Sequence, residues 1–191
     1  MVIESTRNET VKRARALAQR KGRLEQGVHF IEGEKLVREA VVSGAQFVDA
    51  FIEDGHDLMA AVLSGSGANV YTVRRSVMES LTQTGTPQWV CATVKTPEQP
   101  IPEYYPAGLI VALDCVQDPG NLGTILRTAD AMGACGLLLG EGCADPYAPK
   151  PLRAAMGSIY HIPVWQGNLE NEVARLAAQG FTLVCGHLKG A

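Results

Sequence analysis

The chain of 191 residues predicts an α/β protein of two units, the second built on a parallel sheet with helices on both faces. Three observations carry this. Short apolar runs alternate with amphipathic helical stretches along the whole chain. Pro97, Pro100, Pro102 and Pro106 stand together among polar residues and divide the chain. In the second half, apolar runs and helices follow one another in the order that parallel strands with crossovers require. The boundaries are then 1–96 for the first unit, 97–106 for a proline-rich linker and 107–191 for the second unit.

In the first unit a basic helix is predicted over 8–21 and a strand over 28–31. A helix at 34–43 stops at Gly44, a strand covers 47–52 and a helix 57–64. A strand at 69–72, a helix at 74–82 and a strand at 88–94 complete the unit. The second unit reads strand 108–113, helix 122–132, strand 136–140, helix 147–156, strand 161–165, helix 169–179 and strand 181–185. Gly133 and Gly180 mark helix stops.

The first turn of the second unit says most. Asp118-Pro119-Gly120-Asn121 ends the apolar run, and Asn121 reads as the N-cap of the next helix. Leu122, Ile125, Leu126, Ala129 and Met132 share one stripe that should be buried. Arg127 lies off that stripe, one turn after Gly123. Helical side chains lean toward the N-terminus, so its guanidinium is expected to pass over the glycine toward the strand end. Ligands bind at that crevice in open α/β sheets. An amide and a cation aimed there suit an anionic or polar ligand. The ordinary alternative is a surface Arg127 paired with Asp130. The spacing is not a dinucleotide fingerprint, because Gly120 and Gly123 lack the paired start, and no lysine beside a hydroxyl makes a Walker loop.

Composition narrows the classes. The chain is 46% apolar, enough for real cores, and only 6% aromatic. No apolar run spans a membrane and the polar, basic N-terminus is no signal peptide, so a cytoplasmic protein without membrane contact is expected. Cys91, Cys115, Cys135, Cys143 and Cys185 are scattered and read as small buried hydrophobes, and neither they nor the four histidines have metal spacing. The net charge is −3. Even so, Arg7, Lys12, Arg13, Arg15, Arg20, Lys21 and Arg23 concentrate in the first helical stretch, which reads either as a solvated face or as a footprint for phosphate backbone.

Asn121-x-Gly123-x-x-x-Arg127-x-Ala129, preceded by Val116-Gln117-Asp118-Pro119, closely resembles the first signature motif of the SpoU (TrmH-type) RNA 2′-O-methyltransferases of the SPOUT superfamily. The stretch from Asp145-Pro146-Tyr147 through Lys150, Arg153 and Gly157-Ser158 is similar to that family's segment before its next strand. Lys21-Gly22-Arg23 with Phe30-Ile31-Glu32-Gly33, and Thr82-Gln83-Thr84-Gly85-Thr86-Pro87-Gln88, resemble the opening and closing of its small substrate-binding domain. Trp89 stands where the family usually has Gly, and Ala148 where it often has Asn. Trp89 suits core packing better than stacking on a base.

The resemblance implies an N-terminal RNA substrate-binding domain over 1–96 and a SPOUT, trefoil-knot-type methyltransferase domain over 107–191. It implies methyl transfer from S-adenosylmethionine to a ribose 2′-OH of RNA, ribosomal more than transfer RNA, by a homodimer. Arg127 and Asn121 would be catalytic, Arg127 stabilising negative charge on the hydroxyl oxygen rather than acting as a base, since a guanidinium does not lose its proton. Arg23, Glu32, Lys150 and Arg153 would touch RNA. The family pattern continues past 181–185 with a Gly-x-Glu-Gly loop and an Ile-Pro-Met strand leading to a Ser-Leu-Asn helix, which form the knot and hold the donor. The sequence ends before either, so a fragment of a longer enzyme is expected, with Gly186 and Leu188 at the edge of the donor site. A non-catalytic RNA-binding module is the alternative. A small-molecule enzyme gripping phosphate with Arg127 is a third reading, but it leaves the basic N-terminal unit idle.

Overall fold

The computed structural model describes residues 2–82 and 85–186. The first sheet has the order β1-β4-β3-β5-β2. Its strands are β1 (Val2–Ile3), β2 (Val28–Glu32), β3 (Phe47–Glu53), β4 (Asn69–Val73) and β5 (Val90–Lys95). β4 runs parallel to both β1 and β3, whereas β5 is antiparallel to both β3 and β2. β5 lies between them, and Val90 to Val94 are buried on both faces, as a central strand must be.

Strand alternation divides the packing. Phe30 and Phe51 face α1 (Glu9–Ala16) and α5 (Arg75–Leu81), where Val11, Leu17, Val77 and Met78 are fully enclosed. Ile31, Ala50 and Ile52 face the other way, toward α3 (Glu34–Val42) and α4 (Asp57–Gly65).

The basic helix predicted over 8–21 breaks into α1 and α2 (Arg20–Gln26). The break has a cause in Gly22 and Arg23. Gly22 lies against the Ala16 carbonyl so closely that a Cβ would collide with it. Arg23 donates to the carbonyls of Leu17 at 2.7 Å and Ala18 at 3.2 Å. The acceptors left open after α1 are thereby satisfied, and the chain turns back.

The second sheet is parallel, in the order β6-β7-β8, from β6 (Ile110–Leu113), β7 (Gly136–Leu139) and β8 (Val164–Gln166). Its helices are α6 (Pro119–Ala131), α7 (Pro149–Ala155) and α8 (Leu169–Ala178), with a short 3-10 turn at Ser158–Tyr160. Three expectations need correction. The strand predicted over 161–165 starts at Val164, because Tyr160 and His161 are held by partners in the first unit. Residues 181–185 are not a strand. Phe181 closes the end of α8, while Leu183 and Val184 are exposed with no neighbouring strand among the described residues to pair with. Met132 is 71% exposed rather than buried, since it follows the last helical residue as C-cap.

The segment 97–106 is a strap rather than a free tether. Gln99 accepts from the backbone of Val164 at 2.7 Å. The carbonyls of Pro102 and Glu103 accept from Arg175, whose guanidinium also meets Glu172, the partner of the Tyr105 hydroxyl. Desolvation and that carboxylate push the Tyr105 hydroxyl pKa up. Nor are the two units separate cores. Leu36, Val37 and Ala40 of α3 belong to the same buried cluster as Leu122 and Leu126 of α6 and Leu152 and Ala155 of α7.

Candidate functional site

The turn before α6 is capped one turn earlier than the sequence suggests. Asp118, not Asn121, is the N-cap, and its carboxylate accepts the Asn121 backbone N–H at 2.7 Å. Pro119 occupies the first helical turn, where its missing N–H costs nothing. That Asp-Pro pair was the readable signal. Asn121 therefore lies inside the helix, with its side chain on the exposed surface. The Asn121 N–H holds the Asp118 carboxyl below its usual range, helped by the Lys150 ammonium 3.6 Å away. Lys150 also passes over Gly120, where a Cβ would stand 3.6 Å from its Cε.

Gly123 does not leave an open lane for Arg127. A Cβ there would stand 2.5 Å from the Pro151 carbonyl oxygen and 2.6 Å from Ala154 Cβ. The glycine is thus the crossing point of α6 and α7. Arg127 follows one turn later, exposed and without an ion pair or side-chain hydrogen bond to a described residue. Asp130 is not its partner, since Asp130 binds His161 Nδ1 at 2.7 Å.

The other predicted residues part company. Arg153 and Glu32 line the same groove of about 630 Å³ at the junction of the two units. Arg23 does not offer itself to RNA. It is 6% exposed, and its guanidinium is spent on the α1 carbonyls and on Asp145, at 2.6 Å from Oδ2. It clamps the two units together. Gly186 is exposed in an irregular segment, and Leu188 lies outside the described residues. Three more of the N-terminal cations have acidic partners, in Lys12–Glu9, Arg13–Asp49 and Lys21–Glu25. Trp89 stacks on His56 with ring centroids 3.8 Å apart. Of the cysteines only Cys91 is fully buried, and burial pushes its thiol pKa up. Cys115 and Cys185 are exposed.

Two histidines at the junction were missed by sequence reasoning. His29 is fully buried in β2, with Nδ1 3.1 Å from Thr96 Oγ1 and Nε2 2.9 Å from Tyr160 Oη. Desolvation pulls its pKa down to about 3. His161 bridges Asp130 of α6 and Glu39 of α3, with Nε2 2.8 Å from Glu39 Oε1, and the Asp130 hydrogen bond raises its pKa. No periodicity announces either, because each is defined by a partner more than 30 residues away. Among the described residues no three His, Cys, Asp or Glu side chains gather as a metal site, and no helix is long and apolar enough to cross a membrane.

The arrangement offers an exposed amide and an unpaired guanidinium on α6, and a basic face on α7. Lys150 reaches the start of α6, and Arg153, one turn on, reaches the first unit. Arg127 and Arg153, which have no carboxylate partner among the described residues, can hold phosphate and stabilise charge developing on an oxygen, while Lys150 is shared with Asp118.

Residues 108–191 match the SpoU rRNA Methylase family and residues 8–92 the MRM3-like substrate binding domain. The chain is 38% identical to the 23S rRNA (guanosine(2553)-2′-O)-methyltransferase RlmP of Bacillus subtilis, over 93% of this chain and 70% of that one. Among solved structures it is similar to the AdoMet-bound rRNA methyltransferase from Sinorhizobium meliloti, at a TM-score of 0.90 and 36% identity, covering 100% of this chain and 73% of that one. It is also similar to the SpoU methyltransferase AviRb from Streptomyces viridochromogenes in complex with AdoMet, at a TM-score of 0.73 and 27% identity, covering 90% and 69%. With both halves matched in order, the chain belongs to the SpoU rRNA methylase family.

Proposed function

We propose that the chain methylates a ribose 2′-hydroxyl of ribosomal RNA with S-adenosylmethionine as donor. Residues 1–96 present the RNA, 97–106 strap the units together and 107–191 house the transfer. Family membership supports a catalyst over a bare RNA-binding module, as the named relatives are methyltransferases. The observation that carries the reading is α7, which points Lys150 at the start of α6 and Arg153 at the substrate unit. RNA held along that face reaches both units at once.

The donor supplies an electrophilic methyl carbon. Gly186 is the only predicted donor contact among the described residues, and an exposed glycine encloses nothing. Arg127, free of carboxylates, is the group to stabilise charge on the ribose oxygen, with Asn121 orienting the ribose. Glu32, Lys150 and Arg153 hold the RNA. Pairing of two copies and a cytoplasmic location are carried by the family resemblance alone.

The test is methyl transfer to ribosomal RNA, scored as 2′-O-methylnucleoside after digestion. Arg127→Ala should abolish transfer without moving the unfolding midpoint, because the side chain is exposed and unpaired. Arg127→Lys should keep part of the activity. Full activity in Arg127→Ala would remove this residue from the mechanism.

A further inference from the structure

The groove between the units has a composition that a simple phosphate-binding surface does not need. Leu36 of α3, Leu152 of α7 and Met156 just beyond it make it apolar within. Lys35, Arg38 and Arg153 stand around it, along with Glu32 and Glu34. Glu34 is taken by Arg38 at 2.8 Å, and Glu32 accepts the Gln88 backbone N–H at 3.3 Å. Lys35 and Arg153 have no acidic partner among the described residues. Three cations against two carboxylates, both engaged, leave the groove electropositive around an apolar centre.

Met156 adds a second observation. Its φ is 55°, the left-handed region that ordinarily calls for glycine at a helix C-terminus, and glycine does follow at 157. A long apolar side chain occupies this position and is 42% exposed, so its own burial does not account for it.

From this we infer that the groove takes one unstacked nucleotide of a single-stranded RNA segment, its base against the exposed Met156 over a floor of the nearly buried Leu36 and Leu152, and its flanking phosphates on Lys35 and Arg153. This deepens the proposed function and rests on it. Apolar contact with a base face needs the base out of its helix, which is how proteins read unpaired RNA. A volume of about 630 Å³ is of the size that takes a small ligand. The groove is continuous with the α7 face through Arg153, so the bound nucleotide joins the strand held beside α6.

The test is binding of the chain to a short unpaired oligoribonucleotide of mixed sequence and to its duplex form, by fluorescence anisotropy over a salt series. Met156→Gly relieves the left-handed backbone, so its unfolding midpoint should hold or rise while affinity for unpaired RNA falls about fivefold. Duplex binding should not change. The pair Lys35→Gln and Arg153→Gln should flatten the salt dependence for unpaired RNA by about 1.4, at about 0.7 per phosphate contact. Unpaired RNA bound equally by Met156→Gly and wild type, or equal loss on the duplex, overturns the groove assignment and leaves methylation standing. A wild-type chain that binds no RNA and transfers no methyl overturns both.

Discussion

Gly123→Ala sets two known effects against each other. Replacing glycine by alanine inside an exposed helix stabilises by about 1 kcal/mol. Here the new methyl would stand 2.5 Å from the Pro151 carbonyl oxygen, 2.6 Å from Ala154 Cβ and 3.1 Å from Ala155 N. Two of these are backbone atoms and the third is rigidly attached, so no rotamer change relieves the clash. α7 has to move bodily. Overpacking of this kind costs about 1–3 kcal/mol, and immovable neighbours put it near about 3. The net is about 2 kcal/mol of destabilisation, which in a chain of this size lowers the melting midpoint by roughly 4–8 °C. Moving α7 also shifts Lys150 relative to Asn121, and a displacement of about 1 Å can cost about a hundredfold in rate. Thermal unfolding by circular dichroism, with Gly65→Ala as control, is the assay. Nothing lies within 4 Å of a Cβ at Gly65, at the end of α4, so that change should be neutral or stabilising. A Gly123→Ala protein as stable as its parent would show that helix propensity wins and that the α6–α7 crossing is looser than the geometry states.

Arg23→Ala should cost about 3 kcal/mol in urea unfolding, because it strands Asp145 at the junction and frees the α1 carbonyls. A loss below about 0.5 kcal/mol would mean that water replaces the clamp. His29 has a folded pKa of about 3, below its ordinary 6.5, so the chain should be fully stabilised above pH 6.5 and lose stability progressively as pH falls toward 3. His29→Gln should remove most of that acid slope in a pH series of unfolding midpoints. His161 has the opposite sign. Its raised pKa gives stability that is complete below pH 6.5 and fades as pH climbs past the folded value, so His161→Gln should level the alkaline side of the same series.

Elements defined by local pattern were legible in the sequence, and those defined by distant partners were not. The stripe Leu122, Ile125, Leu126, Ala129 places α6 because the 3.6-residue period is written in the chain itself. Asn121 is not the cap because the helix starts one turn earlier, at Pro119, where the Asp118 carboxylate accepts the Asn121 N–H and its charge suits a helix N-terminus. The first helix reads as one piece because residues 16–20, Ala-Leu-Ala-Gln-Arg, are all good helix formers with no glycine or proline among them. The break depends on Gly22 meeting the Ala16 carbonyl, a contact with no sequence period. The candidate site divides in the same way. The motif around 121–127 could be found as a string, and so could Lys150 and Arg153. Arg23 belongs to an equally recognisable string, yet it is buried against Asp145, because a motif records that a residue is retained and not whether it faces solvent. Lys35 and Arg38 have no signal in the sequence, and Met156 has only its place inside the stretch 145–158. They matter only once α3 and α7 come together.

That meeting decides how the RNA-facing unit can work. Had 97–106 been a free tether, the two units would sample many relative positions, and a strand bound to one would be poorly aligned with the other. Instead α3 and α7 share a dry cluster, and polar contacts are added around it, Arg23–Asp145 at one point and His29–Tyr160 and Glu39–His161–Asp130 at others. The apolar cluster contributes affinity between the units in proportion to the area it buries and is non-directional. The polar contacts supply register. His29 Nδ1 is held by Thr96 within the first unit and Nε2 by Tyr160 of the second, so sliding the units by one residue would leave Nε2 buried and unpaired at a cost of about 1–3 kcal/mol. Register is what ribose methylation requires, because the hydroxyl oxygen must arrive in line with the transferred carbon. A variant that keeps the apolar cluster but loses register, His29→Ala, should therefore stay folded at neutral pH, bind RNA nearly as well as its parent and transfer methyl groups far more slowly. Equal losses in binding and in transfer would instead make the junction a matter of stability alone.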